Sequence, residues 1–137
     1  MPSSTTKFLA EKVRGTFSRK AQAAITKNRV VKIDGTNHDQ CSLCAATTDV
    51  AIGVSQSDAS TGDEVLIADE GHLQIIAGGT IALNDELIPD ANGAVTARGT
   101  TATVLYPVVG RAMTQAAAGE LVMCKWAPFR VPGANAS

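Results

Sequence analysis

The chain has 137 residues, enough for one domain that buries about two-thirds of its unfolded surface without disulfide staples. With 45% hydrophobic and 18% charged residues it is neither a disordered nor a supercharged chain, and its net charge of −1 argues against nucleic-acid binding by the whole domain. No apolar run approaches the ~18 residues of a membrane span, and the first residues lack a signal peptide's apolar stretch, which excludes a membrane protein and a secretory precursor.

Charge divides the chain near residue 20. Residues 1–20 carry Lys7, Lys12, Arg14, Arg19 and Lys20 against Glu11 alone, a net of +4, whereas residues 21–137 carry seven bases and twelve acids, a net of −5. A basic leader on an acidic body reads as an extended arm that lies on an acidic partner surface. Phe8, Leu9, Val13 and Phe17 fit docking better than solvation, because a solvated tail has little use for large apolar side chains.

The body reads as short strands closed by tight turns. Arg29–Ile33 and Glu86–Ile88 are apolar stretches that run into Asp34-Gly35 and Asn92-Gly93. Val50–Val54 and Thr103–Val109 are rich in β-branched residues, Glu64–Ile67 and Leu121–Lys125 follow an Ala-x-x-Gly-acid turn, and His72–Ile76 alternates. Ser55–Thr61 is a poor helix former, so it and its counterpart Arg111–Ala118 are expected as loops.

The segments echo one another at an offset of 57: Gly53 falls on Gly110, Ala59 on Ala116, Gly62 on Gly119, Asp63 on Glu120 and Val65 on Val122. The expected fold is all-β, a small barrel or sandwich of many short strands with an internal two-fold sequence repeat and an extended N-terminal arm. Its expected organisation is an arm at 1–20, a β domain at 21–131 made of halves 21–76 and 77–131, and a flexible tail at 132–137.

Little in the sequence points to chemistry. His38, Cys41, Cys44 and Cys124 would be the ligands of a zinc site, but that assembly joins distant segments and has no second C-x-x-C behind it. A thioredoxin-like pair expects a βαβ context that is missing, and small buried thiols in a reducing compartment are the better reading. Only His38 and His72 are available as bases, and no nucleophile elbow, P-loop or dinucleotide fingerprint occurs, so no enzyme, no cofactor and no metal are expected. Asp90-x-Asn92-Gly93 is a fragment of a calcium loop that a β-turn explains as well. The C-terminal stretch Lys125–Gly133 contains the only Trp, and its two prolines read as a rigid strap outside a regular ladder. Trp126 and Phe129 there either close the core or anchor a subunit contact.

The phrase Gly53-x-Ser55-(x)3-Ala59-x-x-Gly62-Asp63-x-Val65, with its echo Gly110-x-Ala112-(x)3-Ala116-x-x-Gly119-Glu120-x-Val122, resembles the capsid decoration (head cement or head fibre) proteins of tailed phages. The resemblance covers about residues 21–126, and the basic leader and the Cys41/Cys44 segment depart from it. It implies a structural virion protein on the outer surface of an icosahedral capsid, made in the host cytoplasm, that bridges capsomers as a homotrimer. Its implied partners are the major capsid protein and further copies of itself, with no nucleic acid and no membrane. From chemistry and position, the arm contacts would be Lys7, Phe8, Leu9, Lys12, Val13, Arg14, Phe17, Arg19 and Lys20, and Trp126 and Phe129 would serve the oligomer or shell interface. Fully extended, a 20-residue arm spans roughly 60 Å. The alternative is a carbohydrate- or ligand-binding β-module of a surface or tail structure, which the scarcity of aromatics disfavours.

Overall fold

Alternating and β-branched stretches form nine strands and, among the described residues, no helix. The computed structural model describes residues 11–34, 39–101 and 103–132. The strands are β1 (Lys12–Ala21), β2 (Val30–Ile33), β3 (Gln40–Leu43), β4 (Gly53–Ser55), β5 (Glu64–Ile76), β6 (Glu86–Pro89), β7 (Val95–Ala97), β8 (Leu105–Ala112) and β9 (Leu121–Pro132). The all-β class expected from the sequence is the class observed.

The pairings form two closed circuits. In the first, β1 lies parallel to β3, then β3–β2, β2–β4 and β4–β5 are antiparallel, and β5 returns antiparallel to β1. In the second, β5 pairs with β9, β9 with β8, β8 with β6 and β6 with β7, and a parallel bridge from Ala77 to Val95 closes the ring. Both circuits use β5: residues 64–72 pair with β1 in the first and residues 72–76 with β9 in the second, so the two overlap at His72, next to Gly71 at φ 108°.

The backbone hydrogen bonds of the first circuit recur in the second, 56 or 57 residues on. Ile25 and Ala59 exchange two bonds of 2.9 Å, and Ile81 and Ala116 exchange two of 2.8 and 3.0 Å. The Gly62 amide donates to Ala21 O at 2.8 Å and the Gly119 amide to Ala77 O at 2.7 Å. The turns before β5 and β9 share their chemistry as well. Gly62 and Gly119 supply the left-handed backbone (φ 90° and 87°), and the following acid accepts a turn amide: Asp63 from Ser60 at 3.2 Å, Glu120 from Ala117 at 2.8 Å.

Each circuit encloses its own apolar centre. Ile25, Val31, Cys41, Val65 and Ile67 fill the first, with Phe17 packed against them. Leu73, Ile81, Leu87, Val95, Val122 and Cys124 fill the second. Val30, Cys44, Ala51, Val54 and Ala68, although carried by the first circuit, pack into the second core and so join the two. The Asp90–Gly93 turn completes the joint, since Gly93 O accepts from the Val30 amide at 2.8 Å and Asn92 O from Arg29 Nη1 at 2.8 Å. The Asp90 carboxylate is engaged within the turn, accepting the amides of Asn92 (2.8 Å) and Ala94 (3.0 Å).

Three expectations differ from the structure. The boundary of the expected arm at residue 20 does not hold, because Lys12–Ala21 is a strand of the first circuit, drawn in by the β5 edge that would otherwise stand unpaired. Residues 1–10 lie outside the described residues. The expected division at 76/77 falls at the end of β5, which already pairs with β9 from His72 onward. The strap is also a true ladder: β9 pairs with β8 from Trp126 through Pro132, and the register shift opposite Val108–Gly110 leaves Ala127 and Pro128 outside it.

Gly53 and Gly110 mark where β4 and β8 cross closest to β5 and β9. A Cβ on Gly53 would fall against Ile67 Cγ2 and Ala68 O, and one on Gly110 against Lys125 O and Cys124 Sγ. Ala at either position should destabilise the protein by about 1–3 kcal/mol, because the opposing backbone cannot swing aside. Urea unfolding of G53A and G110A checks this, with a denaturation midpoint equal to wild type counting against close approach as the reason for glycine.

Candidate functional site

The expected contact residues separate into several groups. Lys7, Phe8 and Leu9 lie outside the described residues. Val13 and Arg14 are exposed at the start of β1, beside irregularities in the β1–β5 register between Val13 and Thr16. Phe17 is half-buried against the first core, and the Arg19 guanidinium sits 4.6 Å above its ring. Lys12 is in register with His72, and Lys20 with Glu64. The basic strand therefore lies along β5, which carries Glu64, Asp69 and Glu70, a favourable cross-strand placement of opposite charges. Lys20 thus stands opposite an acid of its own chain, and Arg19 lies over Phe17.

Trp126 is half-buried and packs on the second core. Phe129 is 40% exposed, and together with Val50, Pro107 and Pro128 it lines a shallow apolar cleft beside the β8–β9 ribbon. The two aromatics share a strand and divide between core and surface.

Sequence reading missed a row of charged residues in register across four strands. Glu86 on β6 opposes Arg111 on β8, Arg111 opposes Lys125 on β9, and Lys125 opposes His72 on β5. Directly paired residues project from the same sheet face. At one end the Glu86 carboxylate is held by Arg98 Nε at 2.5 Å and Arg111 Nη2 at 3.1 Å. At the other, Arg14, His72, Lys125 and Trp126 line a common depression with Glu70. Only the strand register brings these residues together, so no local sequence signal announces them.

The cysteines are built into packing. Cys41 belongs to the first core, Cys44 and Cys124 to the second, so the two thiols of the C-x-x-C serve different interiors. Burial pushes the Cys44 and Cys124 thiols up to about 12, with the Asp49 carboxylate adding to the effect at Cys44. His38, the fourth ligand of the considered zinc site, lies outside the described residues, among which no three metal-binding side chains gather. At pH 8 these two thiols are protonated and enclosed. A chromogenic disulfide reagent should titrate neither in the native protein, and all three cysteines once urea is added. Fast native labelling at Cys44 or Cys124 would contradict the buried-thiol assignment.

Comparison with known proteins places this architecture. The family model described as phage cement protein matches residues 10–125. No curated protein sequence matches the chain. Among solved structures, the chain is similar to the N base of the head fiber protein gp8.5 of bacteriophage phi29, with a TM-score of 0.67 and 22% identity, covering 82% of this chain and 93% of that one. At that identity the likeness establishes the fold.

Proposed function

The chain belongs to the phage cement protein family, and from that premise we propose that it fastens neighbouring capsomers of a phage head as a homotrimer bound to the major capsid protein. As a family member it is a structural component of the virion, located on the outer capsid surface. The observation that carries the reading is the family match, which spans both circuits.

The physical chemistry suits the role. Cementing needs a rigid body with several separated contacts, and two cores joined through a shared strand provide such a body. Several weak contacts on one rigid trimer raise avidity steeply, because each contact made raises the effective concentration for the next. In this reading Lys7, Phe8 and Leu9, continued by Lys12, Val13 and Arg14, reach the shell. Phe17, Arg19 and Lys20 chiefly hold β1 in place. Phe129 serves the trimer or shell contact, and Trp126 braces the strand that presents it.

Co-sedimentation with undecorated heads of the parent phage, followed by electron microscopy, tests the proposal. Regular extra density near three-fold positions is the expected result. A chain that stays in the supernatant sinks it. Deleting residues 1–10 should leave the thermal midpoint unchanged, because β1 begins at Lys12, yet weaken head binding by at least about tenfold. Undiminished binding by this truncated chain would remove the N-terminal segment from the mechanism. Deleting 1–20 should instead unfold or strongly destabilise the first circuit, since β1 pairs with both β3 and β5.

A further inference from the structure

The two circuits carry equivalent rows of residues on one sheet face, and the rows meet different fates. In the first circuit, Val30, Val54, Ala68 and Thr16 stand in register across β2, β4, β5 and β1. Val30, Val54 and Ala68 are fully buried, because the second circuit packs over them. Moving on by 56 or 57 residues gives Glu86, Arg111, Lys125 and His72, the row across β6, β8, β9 and β5. Here no further circuit covers the face. Lys125 is exposed, and the Arg111 side chain is 57% exposed. The face that makes the joint in one circuit is therefore open and cationic in the other.

We propose that this open row is a docking surface for an acidic protein surface, formed by Asp and Glu side chains of the capsid shell. The inference rests on the capsid reading above and names the chemistry of one contact. Arg98 and Arg111 already hold the Glu86 carboxylate between them, so the row shows the geometry that carboxylates take there. Lys125 and Arg14 are exposed at this end of the row, where a partner can reach their side chains. Neighbouring strands stand about 4.8 Å apart, so Arg111 and Lys125 lie side by side, and Arg14 lines the same depression as Lys125, a spread of cations that suits a short acidic segment. Trp126 and Phe129 border the same surface and add apolar contact beside the charges.

Other occupants fit less well. A continuous phosphate backbone needs a longer unbroken run of cations than this row offers, since Glu86 and Glu70 bound it at its two ends. In a second copy, Glu64 of β5 already stands opposite its own Lys20.

The test uses the full chain and undecorated heads of the parent phage, in quantitative co-sedimentation at about 50 and 300 mM salt. Wild type should bind more weakly at the higher salt. Lys125→Glu should bind at least about tenfold more weakly at low salt and lose most of the salt dependence, with an unchanged thermal midpoint. Lys125→Arg should bind as wild type, and so should Lys27→Glu, a reversal on the exposed surface of the first circuit. If wild type binds and Lys125→Glu binds equally well, the docking surface is wrong and the capsid reading stands. If wild type does not bind heads, the capsid reading falls and takes this inference with it. Head binding unaffected by Lys125→Glu, with loss instead of duplex-DNA retention or of the oligomer in light scattering, would overturn the acidic-protein assignment in favour of those partners.

Discussion

The structure depends on a single strand doing two jobs. β5 runs for 13 residues, and its two ends are built into different circuits. The first end needs inward-facing Val65 and Ile67, the second needs Leu73 and Ile75, and Gly71 lets the backbone pass from one register to the other. Apolar residues that cap the first circuit, among them Val54 and Ala68, are buried only because β5 continues into the second. Neither circuit is then an independent unit: removing the second would expose the joint, and removing the first would take half of the strand on which the second is laid.

Electrostatics follows the same plan. A net charge near zero conceals a basic first strand laid on an acidic fifth, with Lys20 opposite Glu64 and Arg19 stacked on Phe17. Such exposed pairs each contribute little, but together they select the β5 edge as the place where the leader lies and discourage its pairing elsewhere. The glycines work through sterics: Gly53 and Gly110 permit the crossings that bring β4 onto β5 and β8 onto β9. Charge selects the partner strand, and the absence of a side chain permits the approach.

Much of the strand content was legible in the sequence, because Val30–Ile33, Glu86–Ile88, Glu64–Ile67 and Leu121–Lys125 combine apolar residues with turn signals at their ends. β1 was not, since a strand whose partner lies some fifty residues away looks locally like a tail. β3 was hidden by the attention that Cys41 and the adjoining Cys44 attract, although both thiols are buried in the cores. The far half of β9 was obscured by its prolines. The bulge accommodates Pro128, and Pro132 ends the strand, so neither breaks the ladder to β8. The row across β6, β8, β9 and β5 was illegible for a different reason: Arg111, Lys125 and His72 share a face only through register, which no local pattern encodes.

The arrangement of the first and last strands has a mechanical meaning. β1 and β9 both run antiparallel to β5, on its two opposite edges, and are therefore parallel to each other. A pull on the N-terminal end of β1 against the C-terminal end of β9 drives them past β5 in opposite directions along its axis. The hydrogen bonds within each ladder then bear the load side by side, instead of parting one after another from a free end. Rupture under tension requires many of them to yield together, so resistance to stretching can greatly exceed what thermodynamic stability alone would suggest.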